Sequence, residues 1–231
     1  MSIFLYIALI IAAYLLGSIS NALWIGKLFY NVDVREHGSK NAGATNILRV
    51  LGWKAAAPVF ILDFAKGVGA VCLILLTSLE KNPVPPDRFM SNTFVCFQIA
   101  LGMAAVLGHI FPVFASFKGG KGVATIAGVI LAIFPLAMLL VLGIFLISLL
   151  LTRYVSLSSI IAAIFFPFIV IVIFDVLVGT YEPLTLEIFS VLATVMILIT
   201  HRNNIKRLRN GTEQKIVIRK NPSIELPKRK E

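Results

Sequence analysis

The sequence predicts an all-α fold: a polytopic membrane helical bundle of about seven transmembrane helices, with the N-terminus outside and the C-terminus in the cytoplasm. Three observations support this fold class. Of the 231 residues, 58% are hydrophobic and only 14% are charged, which lies far outside the range of a soluble domain. Apolar segments of membrane-spanning length recur along the chain. Basic residues concentrate in alternate connections between these segments.

Six apolar segments follow one another along the chain. The first has no basic residue before Lys27, so it lacks the positive start of a cleavable signal peptide and is interpreted as a retained first helix. The fourth is too long for one span, because a helix rising about 1.5 Å per residue crosses a bilayer in about 20 residues. Pro135 is the natural break in it, which gives seven spans. The segments are 3–25, 55–79, 92–115, 123–152, 157–178 and 186–200.

The charges of the connections support the count of seven. The basic connections are 26–54, 116–122, 153–156 and the tail after the last span. The alternating connections, 80–91, the region around Pro135, and 179–185, contain only two basic residues, Lys81 and Arg88. With six spans, the basic tail and the basic 26–54 loop would lie on opposite sides of the membrane, against the positive-inside rule. We therefore expect one membrane-embedded domain, 1–204, and a basic cytoplasmic tail, 205–231.

Charge and cysteine content exclude other classes of protein. Ten basic residues and three glutamates follow His201, as expected for a cytoplasmic end beside anionic lipid headgroups. No aromatic residue interleaves these basic residues to stack on bases, so nucleic acid is not a predicted partner. Cys72 and Cys96 lie in apolar segments and support neither a disulfide framework nor a metal site.

The first of three polar strings runs from Gly38 to Asn46 and is followed by Arg49. Its small residues let backbone N–H groups point inward, and a turn of this kind that runs into a helix N-terminus is a candidate oxyanion cradle. The alternative is a polar loop with helix-capping residues. The candidate side chains are Ser39, Asn41, Thr45, Asn46 and Arg49.

The second string is a glycine-rich turn with two lysines between long apolar segments. It is not a Walker A loop, which would need a glycine at Ala115 and a hydroxyl at Gly122. A phosphate group is still the best candidate ligand, because ammonium and free N–H groups converge there; the alternative is that the lysines only enforce topology. The candidate residues are Lys118, Gly119, Gly120, Lys121 and Gly122.

The third string runs from Thr200 to Glu213, where the last span meets the cytoplasm. If the helix continues through it, His201, Asn204 and Leu208 share a face, so an imidazole and an amide could turn toward the bundle. The alternative is a snorkelling basic anchor. Together the three strings predict one site on the cytoplasmic face.

Inside the bilayer, Asp63 and Lys66 lie three residues apart, close enough to neutralise each other on one helix face. The pair is interpreted either as a structural ion pair or as a substrate contact, so we assign it a supporting role.

Metal and covalent catalysis are not indicated. The three histidines, His37, His109 and His201, belong to separate strings, and no His-x-x-x-His or His-Glu pattern accompanies them. The chain contains no Gly-x-Ser-x-Gly elbow and no His-x-x-x-x-Asp pattern. We predict no metal and no cofactor, and a direct transfer between two bound substrates.

Five strings of the sequence carry a resemblance to a known family. They are Leu-Gly-Ser-Ile-Ser near residue 18, Gly-Ser-Lys-Asn-Ala-Gly-Ala-Thr-Asn, His-Ile-Phe-Pro-Val-Phe-x-x-Phe-Lys-Gly-Gly-Lys-Gly-Val-Ala-Thr, Thr-Arg-Tyr-Val-Ser-Leu-x-Ser and His-Arg-x-Asn-Ile-x-Arg-Leu-x-x-Gly-Thr-Glu. In these strings the chain resembles the bacterial acyl-phosphate-dependent glycerol-3-phosphate acyltransferases. The resemblance runs from about residue 14 to 213, with the strings in the family's order.

The resemblance implies that a fatty acyl group moves from acyl phosphate to the 1-hydroxyl of glycerol 3-phosphate, giving lysophosphatidic acid and phosphate in phospholipid synthesis. It implies a multi-pass protein of the bacterial inner membrane, and a functional link to an enzyme that makes acyl phosphate from acyl carrier protein. On the matching positions, acyl phosphate is assigned to Ser39, Thr45, Asn46, Ser156 and the glycine-rich backbones. Glycerol 3-phosphate is assigned to Arg49, Lys121, His201 and Asn204.

Two questions stay open after this assignment. The general base is either His201 or the departing phosphate of the donor. Two residues depart from the family pattern: Ser20 replaces a proline, and Lys40 replaces a glycine. Lysine adopts positive φ less readily than glycine, so either the loop does not need that conformation or the extra cation touches substrate.

The competing class is an anion or lipid transporter with a phosphate site. It would show discontinuous helices, a site near the midplane and repeated halves. The sequence shows no repeat, and its polar strings cluster on one face.

Overall fold

The computed structural model of the chain describes residues 3–79, 93–172, 184–217 and 221–224. The connection with Lys81 and Arg88, most of 179–185 and the remaining parts of the predicted tail lie outside these ranges. The described part is all-helical. Its α-helices are α1 (Ile3–Gly17), α2 (Asn21–Tyr30), α3 (Ala44–Leu51), α4 (Trp53–Cys72), α5 (Thr93–Ile110), α6 (Val123–Ile133), α7 (Pro135–Thr152), α8 (Val155–Phe168), α9 (Leu184–Thr200) and α10 (Arg202–Arg209).

Within the described residues, four helices are long and apolar enough to cross a membrane, and up to six spans result if each of two bent pairs counts as one. The bent pairs are α1 with α2, at 42°, and α9 with α10, at 60°. Short 3₁₀ turns, Leu73–Leu76 and Val113–Ala115, extend α4 and follow α5. Large side chains such as Phe4, Leu150 and Leu151 are almost fully exposed, as expected of a surface that faces lipid.

The first segment, predicted as one helix over 3–25, is broken at Ser18–Ser20. Gly17 packs so closely on α5 that an added Cβ would lie 2.0 Å from the Ala105 carbonyl oxygen. The break leaves backbone carbonyls without helical partners, and the Lys66 ammonium donates to one of them, Ile19 O, at 2.9 Å. The sequence prediction missed this break, although Gly17, Ser18, Ser20 and Asn21 interrupt the apolar segment there.

The predicted break of the fourth segment is confirmed, because α6 ends at Ile133 and α7 begins at Pro135. Phe134 joins them with φ −140° and ψ 75°, outside the helical region that is disfavoured for a residue before proline. With 11 residues, α6 rises only about 16 Å and is shorter than the bilayer core.

Glycines set the closest contacts between helices. An added Cβ on Gly67 of α4 would lie 2.2 Å from Thr125 O of α6, and one on Gly128 of α6 would lie 2.1 Å from Phe64 O of α4. Small residues that let two backbones approach are typical of membrane helix pairs. These contacts fix the start of α6 beside the middle of α4.

Candidate active site

A cavity of about 440 Å³ brings the three predicted strings together. The start of α3, the start of α6, the start of α8 and the junction of α9 with α10 all contribute to its wall. All predicted substrate and catalytic residues line it except Lys118, Gly119 and Gly120. Those that line it are Ser39, Asn41, Thr45, Asn46, Arg49, Lys121, Gly122, Ser156, His201 and Asn204.

A chain of hydrogen bonds crosses the polar end of this cavity. The Lys121 ammonium donates to Asn204 Oδ1, and Asn204 Nδ2 donates to Glu213 Oε1 at 2.8 Å. Asn204 is buried, so its amide serves as a fixed bridge between a cation and a carboxylate. The second and third strings are therefore joined directly through Lys121 and Asn204.

Glu213 is a cavity residue that sequence reasoning did not propose for the site. Its carboxylate accepts hydrogen bonds from Ser156 Oγ at 2.8 Å and Arg207 Nε at 2.6 Å in addition to Asn204, and Arg49 lies 3.8 Å away. The one signal in the sequence was its position at the end of the third string, after Gly-Thr. The residue lies in the segment predicted as a tail, which thus contributes to the cavity wall.

The tail returns to the body at three further points. Ile216 lines the cavity, and its N–H donates to Arg153 O at 2.7 Å. Gln214 O accepts from Arg49 at 3.2 Å, and Ser223 Oγ donates to Arg49 O at 2.8 Å. The described part of the tail is therefore packed against the helices that carry the site.

Burial sets the charge states around Lys121. Burial lowers the pKa of Lys121 to about 8, although Glu213 opposes that shift. Burial also works against the charged form of Glu213, but hydrogen bonds from Arg207, Asn204 and Ser156 outweigh it and lower the pKa of this carboxyl. At neutral pH the lysine is therefore protonated and the glutamate ionised.

His201 is almost fully buried between α9 and α10. Its Nδ1 lies 2.9 Å from Ile197 O, and since a carbonyl only accepts, Nδ1 carries the proton and Nε2 keeps its lone pair. Burial, followed by the charge of Lys121, lowers the pKa of His201 to about 4. The imidazole is therefore neutral at pH 7, and its Nε2 can accept a hydrogen bond from a ligand.

Arg49 is a partly buried cation with unused hydrogen-bonding capacity. Its Nη2 reaches Gln214 O, whereas its Nε is buried and has no partner among the described residues. Burial lowers the pKa of this guanidinium from its ordinary value, with the charge of Glu213 opposing. An unsatisfied buried donor in the cavity wall is the feature that an anionic ligand would satisfy.

The first string is ordered by Asn46 at the start of α3. Its Oδ1 accepts from Ser39 N at 2.8 Å, and its Nδ2 donates to Val34 O and His37 O at 2.8 and 3.1 Å. The Asn46 amide was predicted to bind substrate, but both of its polar atoms are hydrogen-bonded to the backbone of the loop. Thr45 lines the cavity beside it, and the first amides of α3 have no helical acceptor.

Lys40 adopts a φ of 58°, so the loop keeps the left-handed conformation at this position. The first alternative for this departure, that the loop does not need the conformation, is therefore wrong. Lys40 does not line the main cavity but a separate polar recess, together with Asp33, Arg35 and Glu36.

The second string divides between two places. Gly119 N and Gly120 N, expected to face an anion, donate instead to Ile110 O at 3.2 Å and His109 O at 3.1 Å. Lys118 lines the same recess as Lys40. The anion-binding capacity of this string therefore rests on Lys121 and on the start of α6, where Gly122, Val123 and Ala124 line the main cavity.

The opposite end of the cavity is apolar. Trp53 and Phe60 of α4 are about half exposed, and Ala56 and Ala57 leave room between them. Phe145, Leu149, Val155 and Ile216 complete this wall. A polar end next to an apolar wall that reaches the lipid-facing surface suits a ligand with a charged head and an alkyl chain.

The intramembrane pair is present as predicted. Lys66 Nζ lies 3.0 Å from Asp63 Oδ1, and both side chains are buried. Asp63 lines the cavity, whereas Lys66 points to the break between α1 and α2. Within the described residues, no group of three or more His, Cys, Asp or Glu side chains is arranged to hold a metal ion.

Comparisons with known proteins agree with this geometry. A sequence profile of the family described as "Glycerol-3-phosphate acyltransferase" matches residues 7–211. Relatives with that name include proteins from Chlorobaculum tepidum, 44% identical, with 91% of this chain and 96% of that protein covered, and from Salinibacter ruber, 43% identical, with 90% and 91% covered.

Solved structures of PlsY (YgiH), described as an integral membrane glycerol 3-phosphate acyltransferase, are also similar. Its glycerol 3-phosphate form has a TM-score of 0.76 at 38% identity, and its lysophosphatidic acid form has a TM-score of 0.74 at 37% identity. Both cover 92% of this chain and 96% of PlsY. The chain therefore belongs to the glycerol-3-phosphate acyltransferase family, and it is a membrane-embedded acyltransferase.

Proposed function

We propose that this enzyme transfers a fatty acyl group from acyl phosphate directly to the 1-hydroxyl of glycerol 3-phosphate. The hydroxyl oxygen forms a bond to the acyl carbonyl carbon, and the bond from that carbon to the bridging phosphate oxygen breaks. The products are 1-acylglycerol 3-phosphate, which is lysophosphatidic acid, and inorganic phosphate. The forms of PlsY named for glycerol 3-phosphate and lysophosphatidic acid support the acceptor and the product.

The single observation that carries this proposal is the two-ended cavity. Its polar end holds Lys121 and Arg49 near the starts of α3 and α6, and its apolar end runs along Trp53 and Phe60. Both substrates are phosphate esters or anhydrides and one carries an alkyl chain, so this combination of surfaces fits both. Ammonium, guanidinium and backbone N–H groups stabilise the charge that develops as phosphate leaves.

We assign the glycerol 3-phosphate to Arg49, Lys121, His201 and Asn204. The unpartnered Nε of Arg49 and the free Nε2 of His201 are available for the phosphate and for a glycerol hydroxyl, respectively. The acyl phosphate is assigned to a second set of residues that also lines the cavity. This set consists of Ser39, Asn41, Thr45, Ser156 and the backbone from Gly122 to Ala124.

The donor's own phosphate is the proposed proton acceptor. Acyl phosphate is an activated mixed anhydride, so orientation of the two substrates supplies much of the acceleration and a strong base is not needed. His201 has a pKa of about 4, which makes it a weak base near neutral pH. It is therefore proposed to orient the acceptor hydroxyl through Nε2.

We further propose seven membrane crossings with the N-terminus outside, in the bacterial inner membrane. The cavity is built from the starts of α3, α6 and α8 and the end of α9, next to the basic connections, which supports a cytoplasmic site. The membrane-embedded domain, 1–204, frames this site, and the cytoplasmic segment 205–231 supplies Glu213 and Ile216. A supplier of acyl phosphate is the expected functional partner.

The purified enzyme in detergent, given labelled glycerol 3-phosphate and one donor at a time, tests this proposal. We expect lysophosphatidic acid from acyl phosphate and none from acyl-coenzyme A or acyl carrier protein. Product from either thioester at a comparable rate would refute the donor assignment. Uptake of glycerol 3-phosphate into vesicles without acylation would support a transporter instead.

A further inference from the structure

We propose that His109 is a positioning residue: packed beside Asp63, its ring fixes the turn from Lys118 to Gly122 and so aims Lys121 into the cavity. This inference rests on the proposed role of Lys121 in binding glycerol 3-phosphate. It gives the buried Asp63–Lys66 pair a part in substrate binding that goes beyond charge neutralisation.

The Asp63 carboxylate is the centre of a buried polar network. Its Oδ1 accepts from Asn21 Nδ2 at 2.9 Å and from Lys66 Nζ at 3.0 Å. His109 Nδ1 lies 3.6 Å from the same oxygen, beyond hydrogen-bond distance, and has no hydrogen-bond partner among the described residues. Lys66 also donates to Ile19 O at the break between α1 and α2. The network therefore joins α2, α4 and the last turn of α5, and it anchors Asp63 from two sides.

His109 connects this network to the second string. Its ring is buried, and an added Cβ on Gly120 would lie 2.1 Å from His109 Nε2. Its carbonyl oxygen accepts from Gly120 N at 3.1 Å. The backbone of the turn thus rests on the ring through a face that only glycine can present, one residue before Lys121.

The rest of the turn is held by groups that do not depend on this ring. Gly119 packs against backbone, with an added Cβ only 2.0 Å from His109 O, and α6 is locked to α4 through Gly67 and Gly128. Among the described residues, His109 is therefore the one whose side chain comes closer than 3 Å to a Cβ added on Gly120. Its loss leaves a void under the turn, into which the chain next to Lys121 can relax.

Two glycine positions provide a matched test of this arrangement. In Gly120→Ala the new methyl group meets the His109 ring, whereas in Gly119→Ala it meets backbone oxygen atoms. We expect Gly120→Ala and His109→Ala each to raise the KM for glycerol 3-phosphate by about tenfold, with the KM for acyl phosphate and kcat changed less than about threefold. The double variant should have a KM for glycerol 3-phosphate no higher than that of His109→Ala alone, because the ring that the Gly120 methyl group would meet is absent.

Gly119→Ala combined with His109→Ala is the control pair. Truncating the ring removes no atom that the Gly119 methyl group would meet, so the two fold-changes in the KM for glycerol 3-phosphate should multiply. The positioning role is wrong if the fold-changes of Gly120→Ala and His109→Ala multiply in the same way. It is also wrong if His109→Ala lowers kcat and leaves the KM for glycerol 3-phosphate unchanged.

A second variant separates positioning from neutralisation of a buried ion pair. Asp63→Asn with Lys66→Met removes both charges and leaves no unpaired ion. If Asp63 acts through His109, this double variant has a raised KM for glycerol 3-phosphate, as His109→Ala does. A return to the wild-type KM would reduce the network to a structural ion pair.

Calorimetric binding of glycerol 3-phosphate to each variant provides a readout that does not depend on the donor. The Kd should follow the pattern expected for KM, and thermal unfolding in detergent checks that each variant is folded. A wild-type chain that binds glycerol 3-phosphate but makes no product from acyl phosphate would contradict the proposed reaction alone. An unchanged Kd in a folded His109→Ala variant would contradict the positioning role alone.

Discussion

Lys121 and Lys118 are only three residues apart, yet the structure gives them different surroundings. Lys121 is hydrogen-bonded to Asn204 in the main cavity, and Lys118 lines the recess that contains Asp33 and Glu36. We expect Lys121→Ala to lower kcat/KM by about 100-fold or more, as removal of one anion-stabilising donor commonly does.

Lys118→Ala is the comparison for that variant. It should change kcat/KM by less than about threefold, because surface charges outside a site contribute little. Steady-state kinetics in detergent check both variants. A loss in Lys118→Ala equal to that in Lys121→Ala would favour the sequence-based prediction that the two lysines bind substrate together.

The pH dependence of glycerol 3-phosphate use should follow Lys121. Burial lowers its pKa to about 8, so its positive charge is complete below that pH and is lost as pH rises through it. The substrate phosphate is a dianion above a pKa near 6, so its own charge stays constant in this range. We expect kcat/KM for glycerol 3-phosphate to fall above about pH 8, since this parameter reports the free enzyme.

Lys121→Arg supplies the check, because a guanidinium stays charged throughout this range. The fall above pH 8 should disappear in this variant, whatever its absolute activity. An identical alkaline limb in both enzymes would assign the titration to another group.

His201 decides between the two candidates for the general base. If the donor phosphate accepts the proton, His201→Gln keeps a kcat within about tenfold of wild type, since general-base catalysis by a side chain is worth about 100-fold or more. The kcat at saturating concentrations of both substrates measures this. A fall by orders of magnitude with unchanged substrate binding would make His201 the base.

At the scale of single residues, sequence reasoning identified most of the polar side chains that line the cavity but not how they are paired. Small, hydroxyl and amide residues in three strings were sufficient to predict Ser39, Thr45 and Asn204. Glu213 was missed because a glutamate in a basic tail looks solvated, and its role becomes visible only when the chain returns to Ser156. Long-range contacts of this kind leave no local pattern.

At the scale of helices, one proline marked a break and close packing gave no signal. Pro135 predicted the break between α6 and α7, because proline disrupts the helix hydrogen-bond ladder, whereas Pro58 lies inside α4 and Pro167 inside α8. The break after Gly17 was not predicted, since it depends on contact with Ala105 and on the bond from Lys66 to Ile19 O. Both partners are distant in sequence.

Gly128 provides a test of the helix contacts that hold the start of α6. A methyl group there would lie 2.1 Å from Phe64 O, whereas at Gly143 in α7 nothing lies within 4 Å. We expect Gly128→Ala to lower the thermal unfolding temperature in detergent and to reduce activity, because α6 must separate from α4. Gly143→Ala should be neutral or slightly stabilising, as alanine favours helix. Equal unfolding temperatures for the two variants would contradict this packing.

At the scale of the whole molecule, hydrophobic composition predicted the membrane bundle and the motifs predicted the enzyme. Membership of an acyltransferase family decides against the transporter alternative. The number of crossings remains a prediction, because α6 is short and two helix pairs are bent. The sequence predicted that the three strings form one site, but it could not predict that an apolar wall with Trp53 and Phe60 lines the same cavity.

Direct transfer between two substrates in that cavity is the central claim, and single-turnover kinetics test it most directly. Enzyme in excess is mixed with acyl phosphate, and phosphate release is followed before and after glycerol 3-phosphate is added. We predict no burst of phosphate without the acceptor, followed by phosphate and lysophosphatidic acid in equal amounts and at equal rates once it is present. A burst of phosphate stoichiometric with enzyme in the absence of glycerol 3-phosphate would reveal a covalent acyl-enzyme and contradict the account.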